Sequence, residues 1–155
     1  MKRAFLPAAA IVLALILACN KDKFATEPNL EYKSITPDVV VQGNYVVMRV
    51  RCRDKEGDLD SALTVQTRYD SLGAIMTVDT VRYGFDELSD LPKKVKDATL
   101  QLTWVYALQG GGTGFAQISA ASDRDTELRV GLIVIDKAGH RSNYVESKKI
   151  LLKKV

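Results

Sequence analysis

Nothing limits the fold of this chain more than a period of two in its apolar residues. From Tyr45 to Arg53 the side chains alternate. Val46, Met48, Val50 and Cys52 fall on one side; Arg49, Arg51 and Arg53 fall on the other. Successive side chains take opposite faces in a strand, so one face of this segment is built for a core and the other for water. The same period recurs in Leu63, Val65 and Tyr69, in Leu100, Leu102, Trp104, Tyr106 and Leu108, and in Leu128, Val130, Leu132 and Val134. No long segment carries the 3.6-residue period of a helix. Asp70-Ser71-Leu72-Gly73 separates two strand patterns and reads as a hairpin loop, with glycine where the backbone must turn left-handed. Seven strands are expected: A (32–41), B (45–53), C (63–69), C′ (74–83), E (99–108), F (126–135) and G (143–153). In G the pair Lys148-Lys149 breaks the alternation and predicts a bulge. Strands separated by turn signals make an all-β sandwich or barrel.

The N-terminus obeys other rules. Lys2 and Arg3 precede an apolar run of 15 residues, Ala4 to Ala18. A membrane-spanning helix needs about 20. A charged start, a short apolar core and a small residue at its end make an export signal over 1–18. Ile16-Leu17-Ala18-Cys19 resembles the lipobox of bacterial lipoproteins. The resemblance implies cleavage before Cys19, a diacylglyceryl group on its sulfur and anchoring in a membrane by lipid, each buried CH₂ contributing about 0.8 kcal/mol. Cys19-Asn20-Lys21-Asp22 is similar to the start of many lipoproteins of the Bacteroidota, which implies the outer membrane, displayed to the cell surface or the periplasm. Residues 19–31 are polar and read as the lipidated N-terminus and tether; residues 32–155 form one domain.

The ending offers a second resemblance. After an apolar strand comes Asp136-Lys137-Ala138-Gly139-His140-Arg141-Ser142, then a closing strand. This is similar to the last two strands of bacterial immunoglobulin-like and fibronectin-type-III-like domains, where the turn reads Asp-x-Ala-Gly-Asn-x-Ser. His140 replaces the asparagine. The resemblance implies a seven-stranded immunoglobulin-like β-sandwich with sheets A-B-E and C′-C-F-G. The paired cysteines of antibody domains are missing.

Composition removes several functions. Without Lys2 and Arg3, the 22 basic residues become 20 against 19 acidic, a formal charge of +1. That leaves no dominant basic face, so nucleic acid is not an expected partner. With Cys19 committed to lipid, Cys52 has no partner for a disulfide, and its place on the apolar face of B makes it an inert core thiol. Gln109 to Gly114, QGGGTG, lacks the lysine of a phosphate loop.

The chemistry-bearing residues gather in loops. Arg53 to Asp60, RDKEGDLD, contains Asp54, Glu56, Asp58 and Asp60. In a sandwich of this order the B–C (54–62), C′–E (84–98) and F–G (136–142) loops share one end. That adds Asp136, Lys137 and His140 from F–G, and Asp86, Glu87 and Asp90 from C′–E. Carboxylates converging from several loops suit calcium, which takes six to eight oxygens. Asp54, Glu56, Asp58, Asp60 and Asp136 are the candidate ligands. Against this, Gly57 and Val65 stand at the fourth and twelfth positions from Asp54, which excludes the helix-loop-helix calcium pattern. Arg51, Arg53 and Lys55 are expected to counter the acids. Gly57-Asp58 also suits a plain turn. His140 between Asp136 and Ser142 evokes a hydrolase triad, but no oxyanion hole or strained serine elbow accompanies it. Trp104, Tyr106 and Tyr69 could offer a sugar platform, yet their alternation assigns Trp104 to the core.

These readings converge on a non-enzymatic envelope lipoprotein that needs no cofactor. It would bind an envelope protein or surface glycan through the loops at one end. The alternative is a structural or chaperone-like component whose sheet edge accepts a partner strand.

Overall fold

The computed structural model describes residues 26–85, 94, 96–106, 116–120 and 124–154. Their strands are β1 (Asn29–Thr36), β2 (Val39–Val40), β3 (Tyr45–Arg53), β4 (Leu59–Tyr69), β5 (Ile75–Gly84), β6 (Asp97–Tyr106), β7 (Ala116–Ile118), β8 (Thr126–Asp136), β9 (Val145–Glu146) and β10 (Ile150–Leu152). One sheet has the order β1-β3-β6-β7; the other runs β2-β10-β8-β4-β5, with β9 also paired to β8. The expected A-B-E order is β1-β3-β6, and the expected C′-C-F-G order is β5-β4-β8-β10. The chain is an all-β sandwich of the immunoglobulin-like kind.

Alternation builds the core. Val46, Met48, Val50 and Cys52 of β3 are buried, as are Leu128, Val130, Leu132 and Val134 of β8. Between these faces lie Trp104 and Tyr106 from β6 and Ile150 and Leu152 from β10. Each aliphatic side chain so buried contributes about 1.5–3 kcal/mol relative to exposure. The phenol of Tyr106 donates to the carbonyl of Lys153 at 3.1 Å, which seats its polar tip at the edge of this core.

Several elements depart from the expected pattern. Strand A divides: β1 pairs with β3, the chain crosses at a cis Thr36–Pro37 bond, and β2 runs parallel to β10 in the other sheet. β1 also begins at Asn29 with Leu30 buried, so the tether is shorter than its polarity suggests. Strand G divides too, into β9 and β10, on either side of Ser147-Lys148-Lys149 where the bulge was expected. Strand C starts earlier, because Leu59 already pairs with Asp136, and the B–C loop shrinks to 54–58. In β4 the fully buried face is Ala62, Thr64 and Gln66, while Leu63 and Val65 are only partly buried. This polar inner face is satisfied: Gln66 Nε2 donates to the Gln117 carbonyl at 3.2 Å and Arg68 Nε to the Ser119 carbonyl at 2.7 Å. β7, parallel to β6, supplies one of those carbonyls and was not expected.

The hairpin loop behaves as expected. Gly73 has φ +82, and Asp70 Oδ1 accepts the backbone N–H groups of Leu72 and Ala74. β5 then returns along β4 as the outermost of the described strands in its sheet, and Ile75, Met76, Val78 and Val81 are exposed.

Candidate functional site

The end of the sandwich where β3, β5 and β8 finish is one hydrogen-bonded surface. The N–H of Asp54, just past β3, donates to the carbonyl of Lys96, just before β6, at 2.9 Å. The N–H of Lys137, just past β8, donates to the carbonyl of Asp58 at 3.0 Å. The N–H of Phe85, just past β5, donates to the carbonyl of Asp60 at 2.7 Å. The three loops expected to share an end are therefore joined there. Asp86, Glu87 and Asp90 lie outside the described residues, as does Cys19.

Within this surface the 54–58 loop folds on itself. Gly57 takes φ +69, and the Asp58 N–H turns back to donate to Asp54 Oδ2 at 2.9 Å. A side chain at Gly57 would be strained in that conformation. One oxygen each of Asp54, Glu56 and Asp58 falls within 4.8 Å of the others. Asp54 is 1% exposed, and its Oδ1, like Oδ1 of Asp58, is buried without a hydrogen-bond partner. Glu56 is exposed.

The other two candidate ligands do not join them. Asp60 has already entered β4, where it pairs with Arg82 of β5 at 3.1 Å. Both oxygens of Asp136 are bonded by His140, and the backbone of Ala138 adds a further bond. The His140 backbone N–H donates to Oδ1 at 2.8 Å, and ring Nδ1 meets Oδ2 at 2.8 Å. Burial pushes the Asp136 carboxyl up, but the bonds from His140 outweigh it and hold the group below its ordinary value. The hydrogen bond to Asp136 raises His140 above its ordinary value, against partial desolvation.

Two of the three cations expected to neutralise these acids, Arg51 and Arg53, face another carboxylate. Arg53 faces Asp97 directly across the β3–β6 ladder, and Arg51 is its diagonal neighbour. Arg51 holds Asp97 through two bonds, at 2.8 and 2.6 Å, and Arg53 lies 3.7 Å away. The bond from Arg51 holds the Asp97 carboxyl below its ordinary range. Nothing in the sequence pointed to this, because the register that sets Asp97 opposite Arg53 is a property of the sheet.

The remaining candidates are structural. Ser142 Oγ accepts the N–H of Val134 and donates to the carbonyl of Asn143, both at 2.9 Å, so its proton is held by backbone and not by His140. Trp104 is buried in the core, as its alternation implied. Tyr69 lies under Lys149 and Arg129, whose charged groups stand 4.7 and 5.8 Å from its ring centre. Burial pushes the Cys52 thiol up to about 12, with Asp54 and Asp97 adding to the effect, so it stays protonated at neutral pH.

No protein-family model matches the chain, and no curated protein matches it in sequence. It is similar in fold to the sporulation control protein Spo0M of Bacillus subtilis, at 12% identity over 83% of this chain and 50% of that one, with a TM-score of 0.47. The CARDB domain of a Pyrococcus furiosus protein, in complex with di-metal ions, is similar at 15% identity over 83% of this chain and 88% of that one, with a TM-score of 0.30. Murine CRIg is similar at 15% identity over 83% and 98%, with a TM-score of 0.30. The chain spans half the length of Spo0M. At these identities the likeness concerns the fold alone.

Proposed function

We propose that this chain is a non-enzymatic envelope lipoprotein, held in the outer membrane by lipid on Cys19, that binds an envelope protein or surface glycan through the end formed by the 54–58 and 137–144 loops and the residues flanking β5 and β6. The observation that carries this reading is the coupling of those loops. The bonds from Asp54 to Lys96 and from Lys137 to Asp58 tie separate loops into one surface. A surface held in shape before it meets a partner loses less entropy on binding. A sandwich is a scaffold for many activities, so the argument lies in this end and not in the fold.

A second reading has its own support. Among the described residues β5 pairs on one side only, with β4, and exposes Ile75, Met76, Val78 and Val81. An apolar edge strand of this length is a template for strand addition. Site-specific photo-crosslinking in the native envelope separates the two. With the crosslinking residue at position 56 or 137, adducts are expected; at position 78 they are not. Adducts from 78 alone would overturn the loop-end reading in favour of the edge.

A further inference from the structure

We propose that Asp54, Glu56 and Asp58 bind one hard divalent cation of the calcium type at the exit of β3. The acidic cluster alone would not justify this, since exposed acids gather on many surfaces. The second observation is the state of Asp54. Its side chain is 1% exposed, Oδ2 receives one backbone N–H, and Oδ1 is buried with no hydrogen-bond partner. Asp58 Oδ1 is buried and unpartnered beside it. A buried carboxylate oxygen needs a donor, a cation or a proton, and without one its desolvation is costly.

The nearby arginines do not meet that need. Arg51 and Arg53 face Asp97, and Arg82 faces Asp60. The imidazole of His140 is turned to Asp136. Among the described residues no ion pair reaches Asp54 or Asp58.

The geometry suits a cation. Oxygens of the three carboxylates lie within 4.8 Å of one another. Two ligands on opposite sides of calcium stand about 4.6–5.2 Å apart, from bond lengths of 2.3–2.6 Å, so all three oxygens fit around one ion. Oxygen ligands without nitrogen or sulfur select hard cations over zinc or copper. Three protein carboxylates leave the remaining positions to water. Affinity is therefore expected in the weak extracellular range, with Kd about 10⁻⁴–10⁻³ M. A cation here would brace the 54–58 loop, and through the Lys137–Asp58 bond the loop after β8. The site does not depend on the partner proposed above.

The test is thermal melting and calorimetric titration of the full chain in detergent, in EDTA and in 10 mM calcium chloride. The wild type is expected to gain about 4–10 °C in Tm with calcium, by mass action on the folded state. Glu56→Gln, at an exposed position, should lose most of that gain, and Asp54→Asn should lose all of it. Asp60→Asn should keep the calcium response. Equal melting of the wild type in EDTA and calcium, with no heat of titration, would overturn the site. So would a calcium gain that survives Glu56→Gln undiminished, even if Asp54→Asn failed to fold.

Discussion

His140 stands where the resembling turn carries asparagine, and its contacts show what the position does. Its backbone N–H and its ring both bind Asp136, the last residue of β8. Asparagine would keep the backbone bond and has an amide donor, but no ring that can take up a proton and a charge. The pair gives a signed dependence on pH. His140 titrates above its ordinary 6.5 when folded, so its contribution is complete below about that value and fades as pH rises through the raised one. Asp136 titrates below its ordinary 3.8, so its contribution is complete above that value and is lost as pH falls through the lowered one. The pair therefore stabilises most between them. Denaturation followed from pH 5 to 9 should show the wild type losing stability as pH rises from about 6.5 through the raised value, with that slope removed in His140→Asn. A slope that persists in the variant would place the titrating group elsewhere.

Among the elements, the divided last strand shows how serine hydroxyls carry backbone hydrogen bonds across a break. Ser147 Oγ accepts the N–H of Val130 at 2.9 Å and donates to the carbonyl of Lys148 at 2.8 Å. Ser142 Oγ does the same one turn of the ladder away, between Val134 and Asn143. Each serine hydroxyl takes the place of a strand carbonyl where the edge leaves register. Ser147→Ala would strand the N–H of Val130, a fully buried residue. The expected cost is about 1–3 kcal/mol in urea denaturation, against less than about 1 kcal/mol if water can enter. Lys148-Lys149 correctly marked this break in the sequence. The serines beside it did not stand out, because a hydroxyl at a strand position reads as solvent-facing until its partner strand is known.

For the whole molecule, the anchor and the domain are separable predictions. Cys19→Ala should leave the domain's melting temperature within about 1 °C of the wild type, since the proposed lipid site precedes in sequence the described core, which begins at Leu30. The variant should move from the membrane fraction to the soluble fraction of the envelope. Retention in the membrane fraction would refute lipid anchoring at this residue.

Local pattern was enough for strand type and for the core faces of β3 and β8; the sheet order came from the resemblance of the closing turn, and in β4 the buried face is Ala62, Thr64 and Gln66 and not that of Leu63, Val65 and Tyr69. Val46, Met48, Val50 and Cys52 had to face inward together, because a strand offers only two faces and the arginines claim the other. The shared loop end followed from the same order, and the hydrogen bonds among Asp54, Asp58, Lys96 and Lys137 agree with it. What alternation could not supply was which acid meets which cation. Asp54, Asp58, Asp60 and Asp136 look equivalent along the chain. Pairing across strands gives Arg82 to Asp60 and Arg51 to Asp97, a turn gives His140 to Asp136, and Asp54 keeps a buried oxygen with no donor. Side-chain period is local to a strand, whereas register, burial and charge pairing depend on strands far apart in sequence.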